Sequence, residues 1–387
     1  MSFWGDIGNA IETSQTANNS SAFAHQNIFG AHTNSSRESL LEILENALGG
    51  DNHEDLQIPY KPVVRSFLYC IYALIICISL CGNGMVCFIV LRKKKMRTVT
   101  NFFLANQSLS DIVMTIFNAP FLLARNTING WPFGEVMCHT VDYTMNVSVY
   151  VSTLTLVAIA LDRHRVILHP LRPRMTMRSA RYVVVVIWFA AVVLPIPMAI
   201  FRKLEYFGHL KALACIPDPP SWEFAKLFQV LTIVLQYCLP LGLITVAYVR
   251  IALRRLSHNH VGDYVSEQQQ RHENQAKIRT IKMLVMVVVT FTICWLPINV
   301  YLLTFWLHPS FRHSSLAYVL CHWVAMSSAC INPVIYCLKN GNFRSEFKAM
   351  FKCLKCKMSS ASEQTDQNTN QQNTAEINII STSNLNR

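Results

Sequence analysis

Asp111 is the most costly residue in this sequence: a carboxylate in the middle of an apolar run, with Leu109, Ile112, Val113 and Met114 around it. Ionisable groups in such a setting default to function. Asn83, within Cys81-Gly82-Asn83-Gly84, and Ser152, Ser328 and Asn332 fall at comparable depth in other apolar runs. Carboxylate, hydroxyl and amide oxygens together suit a monovalent cation such as sodium, because hard cations take oxygen ligands. The same set also suits a polar network that only joins helices. Sequence alone leaves both readings open.

A second group of residues suits switching. Asp162-Arg163-His164 closes the third apolar run, where Arg163 either snorkels to the membrane surface or forms a breakable pair with Asp162. Trp295 precedes Pro297 by two residues, which sets a bulky ring beside a helix kink; ordinary aromatic packing is the plainer alternative. Tyr336 follows Pro333 by three residues, and Tyr248 ends the fifth run. Both are rings able to swing. No zinc-ligand or nucleophile constellation is present, so no enzyme is expected.

The elements that must position these residues are seven apolar runs. They cover Phe67–Leu91, Asn101–Arg125, Val136–Leu161, Tyr182–Phe201, Phe224–Val249, Thr280–Leu307 and Ser315–Leu338. Each meets the roughly 20 residues a helix needs to cross a bilayer, and a lipid-buried backbone must bond to itself. Short connections make successive spans antiparallel. The expected fold is an all-α membrane protein, a seven-transmembrane helix bundle followed by a short amphipathic helix. Pro120, Pro195, Pro197, Pro240, Pro297 and Pro333 fall within spans as candidate kinks. After the last span, Phe343, Phe347, Met350 and Phe351 recur at helical spacing against Arg344, Lys348 and Lys352, which fits a helix lying on a membrane face.

Composition agrees. Of 387 residues 52% are apolar and 14% charged, against about 25% charged in a soluble domain. The net charge of +12 sits in alternate connections: Arg92 to Arg97, Arg163 to Arg181, and Arg250 to Lys282. That pattern follows the membrane rule for cytoplasmic loops and argues against nucleic acid. It puts the N-terminus outside and the C-terminus inside. Residues 1–66 form a polar outer tail, 67–338 the membrane domain, 339–356 the surface helix and 357–387 a polar inner tail, with both tails largely disordered and a short helix expected at Ser39–Leu48. No signal peptide is visible at the start. Asn18, Asn19 and Asn34 begin sequons in the outer tail, whereas those at Asn106 and Asn146 fall within spans. Of thirteen cysteines, only Cys138 and Cys215 face the oxidising side, which allows one pairing. Cys353 and Cys356 follow the surface helix, where S-palmitoylation would add an anchor and unmodified thiols are the alternative.

Taken together, Gly82-Asn83, Ser110-Asp111, Cys138, Asp162-Arg163-His164, Trp188, Pro240 with Tyr248, Cys294-Trp295-Leu296-Pro297 and Asn332-Pro333-Val334-Ile335-Tyr336 resemble the rhodopsin-like family of G-protein-coupled receptors, over about Phe67–Cys356. Gln107 stands where that family usually has leucine, and His164 where it has tyrosine. Lys277 stands where many members carry the Glu that holds the arginine, so the resemblance implies a resting lock on Asp162 alone. Ser328 stands where an Asn is usual near the cation pocket. Met145 replaces the amine-pairing Asp, which argues against a biogenic amine by analogy, and Met326 replaces the retinal-binding Lys, which excludes retinal. Trp131-Pro132-Phe133-Gly134, the long connection Arg202–Glu223 and the polar tail resemble the neuropeptide branch, around the neuropeptide Y receptors. The resemblance implies an extracellular peptide ligand at a mouth lined by Asp142, Glu205, Gln236, Asn299, Tyr301, Trp306, His322 and Trp323. Asp142 and Glu205 are the candidates for a basic peptide group. It also implies a heterotrimeric G protein, and arrestin and receptor kinases acting on the inner tail. A transporter with a buried Asp is the alternative, but the internal repeats such a protein should carry are not found.

Overall fold

The structure, a computed structural model, describes residues 62–127, 130–169, 171–207, 212–258, 267–308 and 315–352. The expected helix at Ser39–Leu48, the sequons at Asn18, Asn19 and Asn34, Cys353 and Cys356, and the Lys277 side chain lie outside these.

The helices in chain order are α1 Pro62–Arg92, α2 Val99–Phe117, α3 Ala119–Thr127, α4 Gly134–Leu168, α5 Met177–Val193, α6 Ile196–Ile200, α7 Trp222–Ile233, α8 Leu239–His258, α9 Glu267–Leu307 and α10 Ser315–Lys339, with α11 over 341–352. Hydroxyl caps set several starts: Thr98, Thr176 and Ser221 accept the backbone N–H of Asn101, Ser179 and Phe224, which satisfies donors that a helix start leaves open. Six spans are helices long and apolar enough to cross a membrane. The second expected span is the seventh member of the bundle and is made of two pieces. It breaks at Asn118, two residues before Pro120, and its buried face carries Asn106, Gln107, Ser108, Ser110, Asp111 and Thr115.

Proline and polar residues explain the other departures from straight spans. The fourth span stops at Leu194, before Pro195 and Pro197, and resumes as the short α6. The fifth carries a π-helical stretch at Val234–Cys238 between α7 and α8, a wider turn often found at functional sites. Pro297 and Pro333 remain inside continuous helices. The third and sixth spans run further than expected, to Leu168 and back to Glu267.

Large apolar side chains face outward along the spans, among them Leu74, Val185, Val186, Phe189, Ile293 and Val300. An apolar outer surface of this extent is a lipid-facing one. Inside, Leu68, Ile89, Phe103, Leu156, Ile159, Met283 and Tyr336 belong to one continuous core. Hydrophobic burial does little to join helices in lipid, so interhelical hydrogen bonds and close approaches take over. Asn83 donates to Ala329 O at 2.9 Å, Asn106 to Thr155 Oγ1 at 2.8 Å, and Trp188 Nε1 to Asn106 Oδ1 at 2.9 Å. Ser79 and Thr115 hydroxyls meet at 2.7 Å. Gly82 lets α1 touch α10: a Cβ there would fall 2.9 Å from the Pro333 ring.

The connection after α6, expected as a long one, has regular structure. It is a hairpin, β1 Arg202–Phe207 paired antiparallel with β2 Ala212–Pro217, with Leu204 opposite Cys215. Trp131 donates its backbone N–H to Leu213 O at 2.6 Å, so the connection after α3 docks on the hairpin. Only glycine permits this at position 130, where φ is +90° and a Cβ would fall 2.7 Å from that of Ala212.

Candidate functional site

The hairpin roofs a cavity of about 310 Å³ between the spans, at the bundle end that carries the disulfide. Cys138, in the first turns of α4, is bonded to Cys215 on β2, with Cα atoms 5.6 Å apart. The expected pairing is therefore present, and it pins the roof to the third span. Most of the wall is apolar and aromatic, including Phe201, Phe224, Phe228, Phe305 and Trp306. Trp306 packs against Trp222 and Phe305 at 5.0 and 5.3 Å between ring centroids. An apolar hollow with a few placed polar groups is the usual form of a ligand site.

Those polar groups are specific. Gln236, on the π-helical stretch, donates to Asn146 O at 3.0 Å and ties the fifth span to α4. Asn299 donates to Trp295 O at 2.8 Å, across the turn that holds Pro297. Asp142 on α4 forms a short ion pair with Arg202 at the root of the hairpin, and Arg125 on α3 lies 3.9 Å from the same carboxylate oxygen.

Of the residues expected at the mouth, Asp142, Gln236, Asn299, Tyr301 and Trp306 line this cavity. The other three do not, for separate reasons. His322 is fully buried, with Nε2 2.6 Å from Asn118 Oδ1 and Nδ1 3.1 Å from Tyr72 Oη. It joins the first, second and seventh spans. Trp323, one residue on, packs against the core instead. Glu205 sits on β1, outside the lining, and pairs with Lys203 at 3.1 Å. Asp142 and Glu205, the candidates for a basic ligand group, each face a cation of this chain, Arg202 and Lys203. Arg125, Arg202 and Phe228 were missed. Arg125 had been read as the end of a span and Arg202 as the start of a loop, and the hairpin that brings them together has no strong signal in sequence.

Trp295 forms part of the cavity wall and also donates Nε1 to Ser328 Oγ at 3.1 Å. Its ring stacks on Phe291 at 5.8 Å. One indole therefore spans the hollow and the polar interior beneath. There Asp111 is buried and accepts from Asn332 Nδ2 at 2.9 Å, and Ser110 and Ser152 hydroxyls meet at 2.8 Å. Ser328 Oγ also donates to Ala325 O at 2.7 Å. Buried Gln107 Oε1 and Ser108 Oγ, close in sequence to Asp111, have no protein partner. Oxygen atoms of this kind and density fit a small hard cation.

At the opposite end Arg163 is held twice. Nη2 contacts Asp162 Oδ2 at 2.5 Å with Nε at 3.2 Å, and Nη2 also donates to Thr100 Oγ1 on α2 at 2.6 Å. The expected lock on Asp162 alone is incomplete: the second span supplies a partner that sequence reading passed over. Beside it opens a cavity of about 410 Å³ whose lining includes Thr98, Asn101, Arg174 and Asn340. Tyr336 is fully buried, 6.0 Å from the Phe343 ring, and its hydroxyl has no protein partner. Tyr248 packs at the core edge. In α11, Phe343 and Phe347 are buried whereas Phe351 is exposed, and Glu346 pairs with Lys93 at 3.1 Å.

Comparison with known proteins follows the same outline. The family model described as 7 transmembrane receptor (rhodopsin family) matches residues 82–336. The RYamide receptor of Drosophila melanogaster is 37% identical over 292 residues, 73% of this chain and 62% of that receptor. This chain therefore covers less than two thirds of the fly protein. The RYamide receptor of Tribolium castaneum is 35% identical over 302 residues, 75% of this chain and 82% of the relative. Neuropeptide Y receptor type 2 of Cavia porcellus is 34% identical over 299 residues, 75% and 77% of the two chains.

Proposed function

Since the chain belongs to the rhodopsin family of seven-transmembrane receptors, we propose that it is a plasma-membrane receptor which binds a neuropeptide in the roofed cavity and passes the signal to a heterotrimeric G protein. The relatives' names speak for a peptide. A transporter finds no support among them, and an enzyme finds none either. The observation that carries the reading is Trp295: its ring borders the ligand hollow, its Nε1 reaches Ser328, and Pro297 lies two residues on in the same helix. A ligand that moves this ring acts on both the polar interior and the sixth span.

The cavity end faces outward in this reading, because it carries the disulfide and the basic connections lie at the other end. Asp142 and Arg163 stand on one helix roughly 30 Å apart. Bistable elements connect them: Trp295, Pro297, Asn332, Pro333, Tyr248 and Tyr336. A buried hydroxyl without a partner is costly, so Tyr336 has a reason to swing once α9 moves outward. Arg163 then leaves Asp162 and Thr100 for the G protein. Asp111, Ser152, Ser328 and Asn332 would hold a sodium ion that favours the resting arrangement. Sugar on Asn18, Asn19 or Asn34, palmitate on Cys353 or Cys356, and arrestin and receptor kinases on the inner tail belong to the same proposal.

The test is a screen of secreted peptides on cells expressing the full chain, read by G-protein recruitment. A peptide whose response is lost in Arg163→Ala, while its binding changes only a few fold, supports the reading. A response that survives that substitution at full potency and efficacy refutes it.

A further inference from the structure

We propose that Gln107 supplies its amide oxygen to the cation held at Asp111, as a further ligand of that site. This rests on reading the polar interior as a sodium site, and it names a ligand there that the family resemblance does not provide. Gln107 is buried in α2, four residues before Asp111 and so on the same helix face. Its amide lies against the Asp111 carboxylate. Its Oε1 has no hydrogen-bond partner in the protein. A structural amide that only joined helices would bond through both of its ends, and an unbonded buried one is costly. Leucine, the usual residue of the family at this position, would avoid that cost.

The same interior is short of an amide elsewhere, because Ser328 stands where the family usually has Asn. Ser328 Oγ donates to Ala325 O at 2.7 Å and accepts Trp295 Nε1 at 3.1 Å, which leaves it a single lone pair. Asn332 offers Asp111 its Nδ2 and not its oxygen. Ser110 gives its proton to Gln107 O at 3.0 Å, so in the 2.8 Å contact between the two hydroxyls the donor is Ser152. Ser152 thus keeps both lone pairs for an ion. Asp111 and Ser152 still need a further hard oxygen beside them, and an amide carbonyl is one. The last torsion of a glutamine is broad and roughly two-fold. A half turn of the Gln107 amide therefore brings Oε1 to the carboxylate side, where an ion on Asp111 would meet it. The pair Gln107 and Ser328 moves the amide ligand from α10 to α2.

Purified full-length receptor in detergent would be titrated with sodium chloride in exchange for choline chloride at constant ionic strength, with the melting temperature as readout. Potassium chloride is the control for a general salt effect. The proteins are wild type, Asp111→Asn, Gln107→Leu and Gln107→Met; methionine is unbranched and carries no oxygen. Sodium should raise the wild-type melting temperature more than potassium does, and Asp111→Asn should abolish that gain. Gln107→Leu and Gln107→Met should each raise the half-maximal sodium concentration by about tenfold, on the scale of one bond to a charged group. An amide with a merely structural role would lower the melting temperature in choline and leave that concentration unchanged. If either Gln107 variant keeps the wild-type concentration, the inference is overturned and the sodium site stands. If the wild type gains no more from sodium than from potassium, or Asp111→Asn gains as much as the wild type, the sodium reading falls and the inference with it.

Discussion

Replacing Thr100 with Val tests whether the second span helps to hold Arg163 at rest. The substitution keeps a β-branched side chain and removes one oxygen, the acceptor that Arg163 Nη2 reaches at 2.6 Å. Hydrogen bonds from charged donors contribute about 1.5–3 kcal/mol. The Arg163 side chain is 23% exposed, so water compensates in part and the lower figure applies. A loss of about 1.5 kcal/mol moves an equilibrium roughly tenfold. If the active arrangement makes up about 1% of the unliganded receptor, it should rise to about 10%. Basal G-protein activation, normalised to surface receptor, should therefore increase by nearly an order of magnitude. Agonist affinity should rise in step, because linkage between the two ends is reciprocal. Thr100→Ser keeps the acceptor and should stay close to wild type. If Thr100→Val shows wild-type basal output and agonist affinity, the bond contributes nothing to the resting state and the two-partner lock is wrong.

Other consequences are equally direct. Cys138→Ser and Cys215→Ser should each lower surface expression or ligand binding, and the double variant should be no worse than either, since partners in one bond are non-additive; additive losses in a binding assay would contradict the shared role. Asp111→Asn should remove any dependence of agonist affinity on sodium, and a dependence that persists in radioligand titrations would put the ion elsewhere. Gly82→Ala drives a methyl into the Pro333 ring and should cost about 1–3 kcal/mol as overpacking does, seen as a lower melting temperature of purified receptor; an unchanged value would mean that α1 and α10 part without strain. His322→Leu strands Asn118 Oδ1, while Tyr72 Oη keeps Val319 O, and should also lower the melting temperature, yet it should change ligand affinity little because His322 lies outside the cavity. A large affinity loss at unchanged stability would return His322 to the ligand site.

The spans were legible because their signal is local and strong. A run of apolar residues must be helical in lipid, and a carboxylate inside one is conspicuous, as Asp111 shows. The expected chemistry of Asp162 and Arg163, adjacent in sequence, needed no tertiary information either. What local pattern could not give was the point where a helix stops being regular. Asn118 ends α2 because its side chain works elsewhere, reaching Val141 O and His322, and the approach of Pro120 removes the next donor. The π-helical stretch at Val234–Cys238 precedes Pro240, which lacks the N–H that would bond to Gln236 O, but nothing in VLQYC itself marks a wider turn.

The site was half legible for a related reason. The family resemblance places Gln236, Asn299, Tyr301 and Trp306 at the mouth, and all four line the cavity. His322 stands on a span too, but its direction depends on Tyr72 and Asn118, residues about 200 or more positions away. The charge balance was least accessible of all. Asp142 is a bare carboxylate in sequence and a neutralised one in the fold, and the difference is Arg202, 60 positions on, carried across the mouth by a hairpin pinned through Cys215. A pairing of that kind is fixed by the roof and not by any local pattern.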